Sequence, residues 1–345
     1  MAKISYRLKH FYLIFRRHIL VHISEGNFLK PWHFLIAGLK HKFFNYPYVA
    51  IIETGNYCNI RCPTCPTPHN KIHRKKELMS FDNFKKVIDN IKDSVHVVFL
   101  YNSGEPLLHP DICRMINYAH KNNLYTLIST NTTLLDGKMA KGLFTSGLDE
   151  ILLCLDGVTK ESYEPFRLGA NFETVIKNIK HFCQQKQNLG LRKPFIELQF
   201  ILNKLNQNEV KDVKKLAKEL KVDRLHVKSF ALGEYAYSKE EIKKLSEKFY
   251  PDTEEYQQKV RYSRKQDGLL KLKKSLPGCS LVSSQFVVLV DGRISMCCYD
   301  LNGKYIYGSV LNKKAKDIWF SPKIKRAREL AENRKYPLCQ VCSTF

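Results

Sequence analysis

This chain lacks the marks of a secreted or membrane-spanning protein. Its apolar N-terminal stretch, residues 11–23, is broken by Arg16, Arg17, His18 and His22, and no small-residue cleavage site follows. A signal peptide is thereby excluded, and the run is too short and too charged to cross a bilayer. Internal repeats and low-complexity tracts are also absent. Acidic residues are scarce: 33 Asp and Glu stand against 57 Lys and Arg, a formal net charge of +24. Such a balance suits an acidic partner, whether nucleic acid, an anionic membrane surface or a phosphorylated substrate, or else a generally basic solvated surface. With no secretory signal the expected setting is cytoplasmic. There, eleven cysteines read as metal ligands or catalytic groups rather than as disulfides.

What is present is the profile of a folded protein of one large domain or two smaller ones: 345 residues, 44% hydrophobic and 26% charged. Short apolar runs rich in β-branched residues recur at 49–54, 95–101, 124–130, 150–155, 195–202 and 225–230. Amphipathic stretches at 81–91, 112–121, 172–185 and 208–220 lie between them. Six strands alternating with helices predict a parallel α/β sheet, open or closed into a partial barrel, with its chemistry on loops at the C-terminal strand ends. Residues 238–274 read as polar helix and connector. Beyond Pro277 and Gly278, an apolar run followed by Asp291-Gly292 and 293–296 predicts a hairpin in a small separate module.

The chemistry begins with Cys58-Asn59-Ile60-Arg61-Cys62-Pro63-Thr64-Cys65, directly after the first strand. Three thiolates are one short of the four that hold a four-iron cluster, so such a loop leaves one iron open. The competing reading is zinc, completed by His69 or His73.

With these residues the chain resembles the radical S-adenosylmethionine superfamily, from about residue 48 onward. The resemblance implies a [4Fe–4S] cluster on Cys58, Cys62 and Cys65 whose open iron chelates S-adenosylmethionine, with a flavodoxin or ferredoxin as the reducing donor. It also implies a partial (β/α)6 TIM-like barrel. Asn102-Ser103-Gly104-Glu105-Pro106 resembles the segment that holds the methionyl amine, with Ser103 in place of a glycine. Ser129-Thr130-Asn131 resembles the family's Thr-Asn-Gly segment, with Thr132 in the glycine's place. Asp156-Gly157 ends the fourth strand, and Arg167 resembles the arginine that pairs with the methionyl carboxylate. Gly104, Glu105, Ser129, Asn131, Asp156 and Arg167 are thus the expected cofactor contacts. Thr64 departs from the aromatic residue usual before the third cysteine.

Further on come Cys279, then Cys297, then Cys339-Gln340-Val341-Cys342. Together with Asp291-Gly292, Gly308 and Asp317-Ile318-Trp319 they resemble a twitch module, the shortened relative of the SPASM domain. That resemblance implies a second, auxiliary [4Fe–4S] cluster closed by Cys279, Cys297, Cys339 and Cys342, with Cys298 the alternative to Cys297. Structural zinc is the other reading of these four positions. Cys113, Cys154 and Cys183 read as inert core residues. Glu53, Tyr299 and Asp300 are polar residues near the clusters, each either a proton acceptor or structural.

The expected divisions are therefore an apolar and basic extension at 1–47, a core at 48–235, a helical connector at 236–275 and the twitch/SPASM-like module at 276–345. The extension, with Phe11, Leu13, Ile14 and Phe15 beside Arg7 and Lys9 and a second apolar run at 28–39, reads as an interfacial helix on an anionic membrane or as a lid packed on the barrel. The expected activity is hydrogen abstraction from a small-molecule, sugar or lipid-type substrate, ending in net oxidation with the auxiliary cluster as electron acceptor. Peptide or protein maturation is the alternative. A zinc-stapled nucleic-acid binder is the distant one, since the strands read as apolar throughout and offer no basic, aromatic platform. Metal content separates these. Anaerobically reconstituted protein should be brown and hold about eight irons per chain, from two four-iron clusters; colourless protein with stoichiometric zinc would refute both cluster assignments.

Overall fold

The computed structural model describes residues 16–232, 236–273, 279, 281–340 and 342. Arg7, Lys9, Phe11, Leu13, Ile14 and Phe15 of the N-terminal extension, and the Pro277-Gly278 boundary, lie outside the described residues.

Six parallel strands form the core: β1 (Val49–Ile52), β2 (Val97–Phe99), β3 (Tyr125–Thr130), β4 (Glu150–Cys154), β5 (Phe195–Leu202) and β6 (Arg224–Ser229), hydrogen-bonded in sequential order. Helices cover one face of the sheet. Phe81–Ile91 shows why they form where they do: Ser80 Oγ caps the start by accepting from the Asn83 amide at 3.2 Å. Phe84, Val87, Ile88 and Ile91 recur at helical spacing and are buried. β1 to β5 are largely buried on both faces, as in a curved parallel sheet with helices outside and a filled interior.

The structure adds to two expectations. The strands of the tail join the core sheet. β9 (Gln285–Val288) pairs in parallel with β1, Val49 opposite Gln285 and Ile52 opposite Val288. β10 (Arg293–Ser295) and β11 (Ile306–Ser309) extend the same sheet antiparallel, giving the order β11-β10-β9-β1-β2-β3-β4-β5-β6. The cause is visible in residues 286–290, which are apolar without alternation and all buried. Such a run belongs between two layers and not on a half-solvated hairpin. The connector is also more than helix. After Lys239–Phe249 and Glu254–Lys259 it turns at Asp267-Gly268 into an antiparallel pair, β7 (Tyr262–Arg264) with β8 (Leu270–Leu272).

The N-terminal extension closes the bottom of the barrel, where the strands begin. Its long helix, α1 (Leu29–Phe44), sends Lys30 inward to Asp149, the residue before β4, at 2.6 Å with both side chains fully buried. His33 lies against His96, before β2, with ring nitrogens 3.3 Å apart. Arg17 reaches Glu150 at 3.2 Å and stacks on the ring of Phe195, 3.7 Å from its centroid. Asp149 also accepts from the Thr126 amide at 2.9 Å and has Lys193 and His22 at 3.5 Å. Burial opposes its charge, but Lys30, Lys193 and His22 together hold its carboxyl well below the usual range. Beside them, burial and the Lys30 charge push His120 down to about 4.

Removing one partner of a buried pair strands the other charge. Lys30→Ala should therefore destabilise the protein by about 3–5 kcal/mol, read by denaturant or thermal unfolding. A loss under about 1 kcal/mol, the range of a surface pair, would show that α1 is not fastened to the barrel by this contact.

Candidate functional site

The loop that leaves β1 carries Cys58, Cys62 and Cys65 at the C-terminal strand ends, and its path is set by close backbone packing. Gly104, at φ +83°, lies so close beneath it that a Cβ would meet the carbonyl oxygens of Gly55 and Tyr57 at 2.7 Å. A side chain would fail there on both conformation and space. The Glu105 amide then donates to the Tyr57 carbonyl at 3.0 Å, fastening the loop to the end of β2.

Each of the three sulfurs receives a donor. Asn131 Nδ2 lies 3.6 Å from Cys58 Sγ, and an Arg167 terminal nitrogen lies 3.4 Å from Cys62 Sγ. Cys65 is hydrogen-bonded by the amide and hydroxyl of Thr67. Burial pushes the Cys58 thiol up to about 11 and raises that of Cys65 as well. As bare thiols they would stay protonated at neutral pH; a cationic cluster takes them as thiolates, and the donors then stabilise anionic sulfur. Three thiols on one loop, each with a hydrogen-bond donor at its sulfur, fit an iron–sulfur cluster that takes three ligands from this loop.

Below the loop the expected contacts join one network. Glu105 is buried and accepts from the Leu107 amide at 3.0 Å, the Thr130 hydroxyl at 2.7 Å and the Asn131 amide at 2.8 Å. Burial raises its pKa, and these donors oppose that rise. Asn131 links Glu105 to the cysteine loop through Asn59, at 3.0 Å. Asp156 accepts from the Ile201 amide at 2.6 Å and from Arg167 Nε at 2.6 Å. The guanidinium of Arg167 is thus shared between Asp156 and the Cys62 sulfur. Ser129 faces inward beside Cys154, with Oγ and Sγ 3.6 Å apart. Cys154 is accordingly not a residue of the helix-packed core. It is buried on the inner face, where it also contacts Gln199 at 3.6 Å. Cys183 is buried in the core, and Cys113 packs against it half-buried.

The second group of cysteines gathers in the tail. Cys279 and Cys297 pack around Met296, Val282, Ala331 and Cys339 in a small satellite core. The Cys342 amide donates to the Cys339 carbonyl at 3.4 Å. Cys298 also faces the group: burial, then the charges of Cys342 and Cys279, push its thiol up to about 12. Cys297 packs in the satellite core, and Cys298 lies near enough to feel Cys342 and Cys279. Asp300 is a structural acceptor for Ser295 and the Lys304 and Tyr305 amides, at 2.8 to 2.9 Å. Tyr299 donates to the Leu232 carbonyl at 2.9 Å.

Glu53, read from the sequence as either a proton acceptor or structural, is a buried clamp, with Arg74 on both its oxygens at 2.8 Å and the Val290 amide at 3.0 Å. Two features escaped the sequence reading. Thr67 supplies the donors to Cys65. Finally, β6 is not apolar. Arg224 pairs with Glu197 of β5, His226 lies 3.0 Å from that carboxylate, and Lys228 donates to Gln199 at 2.6 Å. As the edge strand of an open barrel, β6 stays half-exposed and carries charge. The alternation of polar Arg224, His226 and Lys228 with Leu225 and Val227 was the available signal.

Comparison with known proteins agrees with this geometry. Residues 52–191 match the radical SAM superfamily, and residues 279–343 match the SPASM iron–sulfur cluster-binding domain. Fe-coproporphyrin III synthase of Methanosarcina barkeri is 31% identical over 178 residues, 51% of this chain and 42% of that protein. The chain thus spans less than half the length of that relative. The tungsten-containing aldehyde ferredoxin oxidoreductase cofactor-modifying protein of Pyrococcus furiosus is 25% identical over 314 residues, 85% of this chain and 86% of that protein. Among solved structures, Streptococcus suis SuiB bound to precursor peptide SuiA has a TM-score of 0.62 at 15% identity, over 92% of this chain and 76% of its own. At that identity the likeness is one of fold.

Thr132 sits at φ +65°, buried, in the left-handed region that β-branched residues avoid. It is held there by its own hydroxyl on the Asn131 carbonyl at 2.7 Å and by the amide it gives to Thr130 Oγ1 at 3.0 Å. Such strain costs about 1–3 kcal/mol, against roughly 1 kcal/mol of added chain entropy for glycine. Thr132→Gly should therefore leave stability unchanged or raise it by about 1 kcal/mol, measured by unfolding; a clear loss would show that the hydroxyl contact outweighs the strain.

Proposed function

We propose, for a chain that belongs to the radical SAM superfamily and carries a C-terminal SPASM iron–sulfur cluster-binding domain, that it catalyses net oxidation of a small-molecule, sugar or lipid-type substrate, with its auxiliary cluster as the electron acceptor. S-Adenosylmethionine bound at the open cluster supplies, on one-electron reduction, a 5′-deoxyadenosyl radical able to take a hydrogen atom from carbon. The chain's own residues bind, orient and shield. Cys58, Cys62 and Cys65 would hold the open cluster and Arg167 would lie against it. Glu105, Ser129 and Asn131 would line the cofactor's bed, and Asp156 would fix Arg167. Cys279, Cys297, Cys339 and Cys342 would close the second cluster. A flavodoxin or ferredoxin would deliver the electron, and exposed Arg61 and Lys76 beside the cysteine loop, around a cavity of about 890 Å³, suit such an acidic carrier. Peripheral contact with an anionic membrane surface belongs to the same proposal. No helix among the described residues is long and apolar enough to cross a membrane.

One observation carries the electron-acceptor role. The tail bearing the second cysteine group is built on β9, which pairs with β1, the strand that feeds the first cysteine loop. The loops also bond directly: Arg74 Nε donates to the Leu301 carbonyl at 2.6 Å and the His73 amide to Asn302 Oδ1 at 2.8 Å. Two thiolate groups held on one rigid sheet suit electron transfer between substrate and the second cluster. Removing a hydrogen atom leaves substrate one electron short of a two-electron oxidation. The remaining electron would pass to that cluster and the proton to solvent or a base. Peptide maturation is the second reading, favoured by the fold likeness to SuiB, which binds a precursor peptide.

A Cys339→Ala variant tests the role. It should still form 5′-deoxyadenosine from S-adenosylmethionine at a rate within a few-fold of the parent, and yield little oxidised product. Iron content and circular dichroism check that it is folded and keeps the first cluster. Native product yield from folded variant would make the second cluster structural.

A further inference from the structure

The helix that plugs the barrel is turned inside out. Phe28, Trp32, Leu35, Leu39 and Phe43 fall at helical spacing along one face of α1 and are between 48% and 65% exposed. The buried side carries Lys30 at 0% exposure and the small Ala37, with His33, Phe34 and His41 partly buried beside them. A helix packed only to shield a core faces its large apolar residues inward and its charges outward. Here the inward face is mixed because it also serves the charged residues at the strand starts: Lys30 meets Asp149 at 2.6 Å, and His33 meets the Lys92 carbonyl at 2.9 Å. The outward face is left with a continuous apolar stripe over four turns, extended by exposed Ile23 and Leu20 just upstream. Single exposed apolar residues need no explanation, whereas a contiguous stripe marks a contact surface.

We propose that this face is a membrane-docking surface: α1 lies along an anionic lipid bilayer, with Trp32 and Phe43 at headgroup level and Leu35 and Leu39 in the acyl boundary. The occupant is chosen by charge. Across residues 1–47, Glu25 is the lone acid against eight lysines and arginines; Glu25 is paired with Lys193 at 2.7 Å, and of the cations Lys30 and Arg17 are spent inward on Asp149 and Glu150. Exposed Lys42 flanks the stripe. A second copy would bring an equally basic face to this one and be repelled, whereas anionic headgroups complement it. Aromatic residues at the margin of a leucine stripe suit the interface as well. Because α1 sits where the strands begin and the cysteine loops sit where they end, the docked enzyme turns its mouth away from the bilayer. The proposal extends the peripheral-membrane contact put forward above and is independent of the reaction.

The test uses full-length protein and vesicles of phosphatidylglycerol with phosphatidylcholine, against pure phosphatidylcholine. Trp32 is a built-in reporter, because the chain's other tryptophan, Trp319, is buried. Wild-type protein should float with the anionic vesicles, with a blue-shifted tryptophan emission. Binding should weaken as salt rises. Leu35→Ser with Leu39→Ser alters exposed positions only, so its unfolding midpoint should match wild type. Its vesicle affinity should fall by about tenfold or more through lost apolar burial. Wild type that floats while the variant floats equally well would overturn the assigned face and leave peripheral binding standing. Wild type that ignores anionic vesicles would overturn both. A wild-type dimer that the variant converts to monomer, without vesicle binding, would give the face to a second copy.

Discussion

The arrangement depends on one buried carboxylate. Glu53 stands at the end of β1 with no solvent exposure, and such a charge is tolerable only when its lone pairs are filled. Arg74 fills two at 2.8 Å from the segment beyond the cysteine loop, and the Ser103 hydroxyl fills another from the end of β2. The Val290 amide at 3.0 Å comes from the turn between β9 and β10. Glu53 thereby ties together the loop of the first three thiols, the segment holding Gly104 and Glu105, and the tail that carries the second cysteine group. The same residue donates its amide to the Val288 carbonyl at 2.9 Å, so the side-chain clamp and the β1–β9 pairing reinforce each other.

From that point the barrel divides its charge between two ends. At the C-terminal ends, buried acids are met by donors placed for them: Glu105 by amides and a hydroxyl, Asp156 by Arg167 and the Ile201 amide. At the N-terminal ends Asp149 and Glu150 are met by cations from the extension. A parallel sheet leaves unpaired backbone and polar side chains at both rims, and both must be satisfied. The upper rim is covered by the cysteine loops. The lower rim is covered by α1, whose polar residues are therefore inward. The exposed apolar stripe follows from this assignment: once one face of a helix is committed to charge, the apolar residues of its sequence are left on the other.

Local signals read correctly from the sequence, and signals of partnership did not. The helices Phe81–Ile91 and Ile112–Lys121 begin and end where periodicity placed them. The first owes its start to a serine cap and both owe their span to an apolar stripe, which are encoded within the segment. The three-thiol loop, Gly104-Glu105, Asn131 and Asp156 were singled out by resemblance to a known pattern, and the sheet gathers them because each follows the end of a strand. The pairing of β9 with β1 joins residues far apart in sequence, and only its unbroken apolar run hinted at burial on both faces. The charges of β6 were hidden by treating every strand as interior, although the last strand of an open barrel has an edge. The orientation of α1 was not legible, since amphipathicity defines two faces without saying which one the protein covers.

The same partition bears on how much of the tail its cluster must hold. Phe286, Val288, Val290, Ile294, Ile318 and Trp319 all belong to the main hydrophobic core, and Trp319 Nε1 donates to the Asn45 carbonyl at 2.7 Å. The strands and helices that carry the second cysteine group are therefore fastened without it. The cysteines themselves sit in the satellite core of Val282, Met296, Ala331 and Cys339, which has few other buried residues. Metal binding and folding are coupled where ligands have little else to hold them. The coupling here is confined to that tip, while β9, β10 and the Glu53 clamp stay with the barrel. Loss of the second cluster thus loosens the tip without dissolving the sheet, and the first cysteine loop, braced by Glu105, Gly104 and Arg74, keeps its shape. A tip held this way can be lost without disturbing the first cysteine loop, which is the condition for testing the two cysteine groups separately.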